Sequence, residues 1–165
     1  MPATARMAMT RKARTAGEAA AEKPSEAAGL LADLLGDVPL FAGVSTRHLR
    51  KIARLAIVSR FDAKAPIVTS GDPGEAFYVI LNGRATVRRR GRAKVELGPG
   101  AYFGEMALLD GAPRSATVVA ETETVCLMLA RRPFTKILKD EPAVTSALLR
   151  SLAARVRESE ASPAD

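Results

Sequence analysis

Apolar positions along the chain change period twice. Between Gly29 and Ala56 they recur at helical spacing. Leu30, Leu31, Leu34 and Leu35 share one face, "GDVPLF" interrupts, and Ser45 is placed to cap "TRHLRKIARLA", which turns Leu49, Ile52 and Leu55 or Ala56 inward. From Val58 the runs shorten: "IVTSGDPGEAFYVILNGRATVRRR", "KVELGPGAYFGE", "RSATVVAE" and "TVCLMLA" are β-rich and each is ended by Gly, Pro or charge. Asn82–Gly83 is the strongest short hairpin signal among them. No crossover helices separate the runs, which argues against a parallel α/β sheet. After Ala130 the helical period returns, with Pro133 and Pro142 near the first turns of two successive helices. The second helix repeats Val144, Leu148, Leu152 and Val156 at intervals of four, with Leu149 beside them, a stripe that packs on the barrel, on a second copy, or on a ligand.

The expected fold is therefore mainly β with flanking helices: an antiparallel β jelly-roll barrel with N-terminal helices and a C-terminal helical pair. Residues 1–28 are expected to be a disordered, basic and Ala-rich tail. Residues 29–162 are expected to form one domain, divided into helices (29–57), barrel (58–131) and helices (132–162).

Composition narrows the class. At 165 residues and 47% apolar content the chain suits one ordinary core. It has neither an 18-residue apolar span nor a secretory signal, so a cytoplasmic protein without membrane contact is expected. The formal charge of +7 is uneven: the four basic residues of 1–17 meet no acid, and without them 21 basic residues face 18 acidic ones. A second basic cluster, "RRRGRAK" at Arg88–Lys94, reads as a solvated hairpin tip. Nucleic-acid binding is disfavoured because no aromatic residues interleave with those charges. The single cysteine, Cys126, excludes an intrachain disulfide and a thiolate metal cluster, and reads as a small buried hydrophobe. His48, the one histidine, reads as a surface or boundary residue, and no metal site is expected.

The chemistry concentrates in Phe103–Thr117, "FGEMALLDGAPRSAT". Glu105 and Arg114 stand as isolated charges among Gly104, Ala107, Gly111, Ala112, Pro113, Ser115 and Ala116. A turn needs one or two such small residues, whereas a series of them leaves room for a bound object. The competing reading is an internal Glu105–Arg114 ion pair that merely closes the turn.

This stretch resembles the phosphate-binding cassette of cyclic nucleotide-binding domains, the family found in bacterial catabolite-activator-type regulators, cyclic-nucleotide-dependent kinases and gated channels. "GDPGEAFYVILNGRATV" is similar to the glycine-framed hairpin before that cassette, and the likeness covers roughly Val38–Glu160. It implies a non-enzymatic sensor of cAMP, with cGMP second. Arg114 would hold the cyclic phosphate through its planar fork, and Glu105 would accept from the ribose 2′-OH. Gly104 would let the backbone approach the sugar. The opening turn, with Met106, Ala107 and Leu108, would add N–H donors. Ser115 and Ala116 would add more, with Pro113 fixing the turn.

Base identity rests on the residue after the arginine, commonly Ala with cAMP and Thr with cGMP. This chain has Ser115, as the bacterial cAMP-binding activators do. Their C-helix threonine falls at Ser159 and their serine at Glu160, a departure. Leu148 and Leu152 are candidate apolar contacts to the base, with ordinary packing against the barrel as the equal alternative. Ligand binding would swing the C-terminal helices onto the barrel. With no DNA-binding, kinase or membrane segment in the sequence, the expectation is a free-standing sensor whose output is a protein effector, a homodimer through the C-terminal helix, or simple sequestration of the ligand. The alternatives are a degenerate barrel serving only as a protein-interaction module, and a cupin-type enzyme, which one histidine cannot furnish with its metal.

Overall fold

A computed structural model of the chain describes residues 24–161; the expected disorder of the tail falls outside them up to residue 23. Helix α1 (Pro24–Gly36) begins ahead of the expected boundary at residue 29. A 3-10 turn (Pro39–Phe41) leads to α2 (Thr46–Leu55), which Ser45 caps by accepting from the backbone N–H of His48 at 3.3 Å. The helical expectation holds, but the buried face of α1 is different. Ala28, Ala32 and Leu35 are buried while Leu30 and Leu34 are exposed. The i, i+4, i+7 stripe of Ala28, Ala32 and Leu35 faces the rest of the fold, Leu31 packs partly buried against that core, and Leu30 and Leu34 are left outside. On α2, Ala53 joins Leu49 and Ile52 inside and Leu55 stays largely exposed.

The barrel has eight strands among the described residues: β1 (Ile57–Phe61), β2 (Pro66–Val68), β3 (Ala76–Asn82), β4 (Ala85–Arg88), β5 (Val95–Leu97), β6 (Tyr102–Phe103), β7 (Thr117–Ala120) and β8 (Thr124–Ala130). They form two four-stranded antiparallel sheets in the orders β1-β8-β3-β6 and β2-β7-β4-β5. Between β6 and β7 lies a short helix, α3 (Glu105–Asp110). The chain closes with α4 (Arg131–Asp140) and α5 (Pro142–Ala161). No described helix is long and apolar enough to cross a membrane.

Why "AFYVIL" is continuously apolar follows from the layering. Both faces of β3 are buried, with Phe77 and Val79 on the helix side beside Leu127 and Leu129. Ala76, Tyr78 and Ile80 lie in the other core, with Cys126, Phe61, Phe103 and Val118. Phe134 of α4 stacks on Phe77 at 4.9 Å, so the C-terminal helices share a core with the strand that borders the candidate site. Cys126 is fully buried, and burial pushes its thiol up to about 12.

Asn82–Gly83 does not close a hairpin. β3 pairs with β8 and β6, β4 pairs with β7 and β5, and the turn carries the chain from one sheet to the other. Its polar groups are met across the barrel, where the Arg84 carbonyl accepts from Glu121 N–H and from the Thr124 hydroxyl. Gly83 sits at φ +91°, and a Cβ there would stand 2.4 Å from the Glu123 carbonyl oxygen. By contrast "RRRGRAK" does turn a hairpin, between the paired β4 and β5, and Gly91 (φ +73°) has open space around it.

Gly83→Ala should therefore lower the stability of the fold by about 2–3 kcal/mol, combining left-handed strain with backbone overlap. Gly91→Ala should cost only about 1 kcal/mol. Urea unfolding midpoints of the two variants check the ordering, and equal losses would contradict the crowding at Gly83.

Candidate functional site

Two loops interleave at the end of the barrel. The "GDPG" loop between β2 and β3 grips the backbone of Arg114 from both sides: Arg114 N–H donates to the Asp72 carbonyl at 2.8 Å, and Gly71 N–H donates to the Arg114 carbonyl at 2.9 Å. Gly74 lies so close to α3 that a Cβ would overlap that of Ala107 at 2.1 Å. Packing of one loop against another thus accounts for part of the run of small residues that the sequence reading assigned wholly to ligand space.

Arg114 itself is buried. Its Nη1 donates to the Gly104 carbonyl at 3.1 Å and its Nη2 to the Ala76 carbonyl at 2.7 Å. Gly104, at φ +94°, is required by that approach, since a Cβ would stand 2.7 Å from the Arg114 Nη1. Among the described residues no carboxylate comes within ion-pair distance of this guanidinium. Burial draws the Arg114 pKa below its ordinary value, while Tyr78 and Glu105 oppose the shift through space.

Glu105 is buried too, but its partner is not Arg114. Arg155, from α5, donates through Nη1 to Glu105 Oε1. The Arg155 guanidinium also stands 5.7 Å from the centre of the Tyr102 ring, a cation–π contact. The internal Glu105–Arg114 clasp is thus excluded, and the charge that meets Glu105 comes from a helix fifty residues away in sequence.

A cavity of about 420 Å³ opens beside these groups. Gly104, Glu105, Met106, Ala107, Arg114, Ser115 and Ala116 line it, as the sequence placed them, together with Ser159 from α5. Leu108 and Pro113 do not. Leu108 is buried in the helix-side core, and Pro113 is exposed on the turn. Leu148 and Leu152 also miss the cavity: Leu148 is buried in that core and Leu152 packs against it. Along α5, positions 148, 152, 155 and 159 share one helical face, and its second half, about 10 Å further along the axis, is the part that reaches the cavity.

Sequence reasoning missed Arg155, Tyr102, Glu158 and the hairpin arginines Arg89 and Arg92, all on the cavity wall. The i+7 relation between Leu148 and Arg155 was the available signal. Four arginines against two carboxylates leave the lining positive, which suits an anion. A further arginine, Arg131 at the start of α4, ties the "GDPG" loop and α3 to the C-terminal helices, donating to the Gly74 carbonyl at 2.7 Å and to the Leu108 carbonyl at 3.3 Å.

Residues 58–141 match the cyclic nucleotide-binding domain family. A cyclic nucleotide-gated potassium channel of Mesorhizobium japonicum is 38% identical over 111 residues, 67% of this chain and 31% of the channel. A cAMP-dependent protein kinase regulatory subunit of Aspergillus niger is 38% identical over 110 residues, 63% of this chain and 26% of the subunit. The chain thus spans about a third or less of these relatives. The crystal structure of the Thermus thermophilus catabolite activator protein superposes with a TM-score of 0.68 at 33% identity, covering 74% of this chain and 60% of that one.

Removing Arg155 strands a buried carboxylate. Arg155→Ala should destabilise the ligand-free fold by about 1–3 kcal/mol, discounted because the arginine side of the pair is 41% exposed. Adding Glu105→Gln to that variant should recover part of the loss. A double-mutant cycle of urea unfolding checks this, and strictly additive effects would deny the pairing.

Proposed function

Because the chain belongs to the cyclic nucleotide-binding domain family, we propose that this cavity takes a 3′,5′-cyclic nucleotide, cAMP ahead of cGMP, and that the protein is a non-enzymatic cytoplasmic sensor. The observation that carries the reading is Arg114: a buried guanidinium, held by two carbonyls, beside a cavity lined with more positive than negative side chains. Two of its five N–H donors bind those carbonyls, which leaves three for a phosphate. Carbonyls orient the fork without neutralising it, so a single negative charge is the complement it lacks.

Glu105 accepts from the ribose 2′-OH. Arg155 holds its Oε1, and the second carboxylate oxygen is assigned to the hydroxyl. Ser115 and Ser159 both line the cavity and offer hydroxyls to the base and phosphate edges. Ligand entry at Glu105 alters the contact that keeps α5 over the cavity, and Arg131 transmits movement of the two loops to α4. Phe134, Ile137, Leu138 and the 148–156 stretch form the surface that shifts. The output is a protein effector or a homodimer: Leu149 and Val156 stand 61% and 57% exposed on α5. That Arg155 already engages Glu105 favours, as second reading, a barrel that keeps its shape without ligand and acts only as an interaction module.

Calorimetric titration with cAMP and cGMP separates the two. The sensor reading expects saturable 1:1 binding, tighter for cAMP, with Arg114→Ala losing roughly 1.5–3 kcal/mol or more of affinity. Absence of heat with both nucleotides leaves only the interaction module. Hydrogen exchange should change across Pro133–Arg157 when cAMP is added, and an unchanged pattern there contradicts the helix movement.

A further inference from the structure

Away from the cavity, α2 carries Arg47, Arg50, Lys51 and Arg54, all exposed. Their spacing, i, i+3, i+4 and i+7, puts them in one stripe about 10 Å long, opposite the buried Leu49, Ile52 and Ala53. The helix holds no acid, and among the described residues none of the four forms an ion pair. Four like charges at i, i+3, i+4 and i+7 repel one another and weaken an isolated helix, and only Arg54, in the last turn, is favoured by the helix dipole.

Beside the stripe runs a furrow of about 250 Å³ between α2 and α4. Lys51 and Arg54 stand on its α2 wall, Lys136 and Asp140 on the α4 side, and Leu55, 42% exposed, offers an apolar edge. His48 Nδ1 and Glu141 Oε1, 2.7 Å apart, tie the two walls at one end.

We propose that this stripe and furrow are a docking surface for an acidic helical segment of a partner protein. Its Asp or Glu side chains would be repeated at the stripe's own spacing, and one apolar side chain would enter the furrow. A protein is favoured over a polyanion by the carboxylates in the wall, Asp140 and the His48-paired Glu141. A nucleic-acid backbone or an anionic lipid surface is uniformly negative and meets Asp140 with repulsion, whereas a peptide can present a neutral or basic residue at that point. Docking at α2 and α4 requires no nucleotide, so it stands independently of the proposed sensing.

The test uses the full chain without nucleotide and a labelled short helical peptide bearing glutamates at i, i+3, i+4 and i+7 with one leucine beside them. Its glutamine counterpart, a short DNA duplex and phosphatidylserine vesicles are the other arms. Fluorescence anisotropy should show binding of the acidic peptide that weakens with salt and is absent for the glutamine form. Reversal at Arg50→Glu, Lys51→Glu and Arg54→Glu together should weaken it by about tenfold or more. The milder Arg50→Gln/Arg54→Gln variant guards against misfolding and should weaken it in the same direction. Arg90→Glu/Lys94→Glu, on the distant hairpin tip, should leave it unchanged. The proposal is overturned if no arm binds, if the hairpin reversal is as damaging as the stripe reversal, or if duplex or vesicles bind through the stripe more tightly than the peptide.

Discussion

A buried positive charge held in place but not neutralised is the constraint on which the site depends. Arg114 could have been satisfied by a carboxylate, and Glu105 lies near enough to influence it through space. Instead the fold spends Glu105 on Arg155 and gives Arg114 two carbonyls. Separating the two charges in this way leaves a cation and an anion presented to one cavity, each pre-oriented. A structural ion pair would have closed that space, because bridging groups exclude what would otherwise sit between them.

Holding that arrangement demands close backbone approach, and the glycines supply it. Gly104 admits the guanidinium and Gly74 admits Ala107, so each glycine removes a clash at a named partner. The backbone of Arg114 is then locked by the loop that contains Gly74. Arg131 and Arg155 connect this locked unit to α4 and α5, one through carbonyls and the other through the Glu105 carboxylate. Two separate polar contacts thus join the groups around Arg114 and Glu105 to the C-terminal helices.

Much of this was legible in the sequence wherever the signal was local. Period changes located the helical flanks and the β region, Ser45 marked a cap, and the isolated charges of "FGEMALLDGAPRSAT" pointed to residues that line the cavity. What failed was decided by tertiary pairing. Asn82–Gly83 has the composition of a tight hairpin, yet its flanking strands find better partners in opposite sheets. Leu148 and Leu152 lie on the correct face of α5 but too near its start, because the axial position of a helix against a barrel is set by packing at Phe134 and Val144, not by periodicity. Repeats of four also drift around a helix, which carries Val156 out to solvent while Val144 stays buried. The Arg155 contact with Glu105 could not be read at all, since no local rule pairs residues that far apart.

A crystal structure of the chain with cAMP tests the central claim most directly. The account predicts a cyclic phosphate oxygen within about 3 Å of the Arg114 guanidinium, with the ribose 2′-OH on the Glu105 carboxylate. A nucleotide bound elsewhere on the surface, or a phosphate held by Arg89 and Arg92 while Arg114 keeps only its two carbonyls, would contradict it.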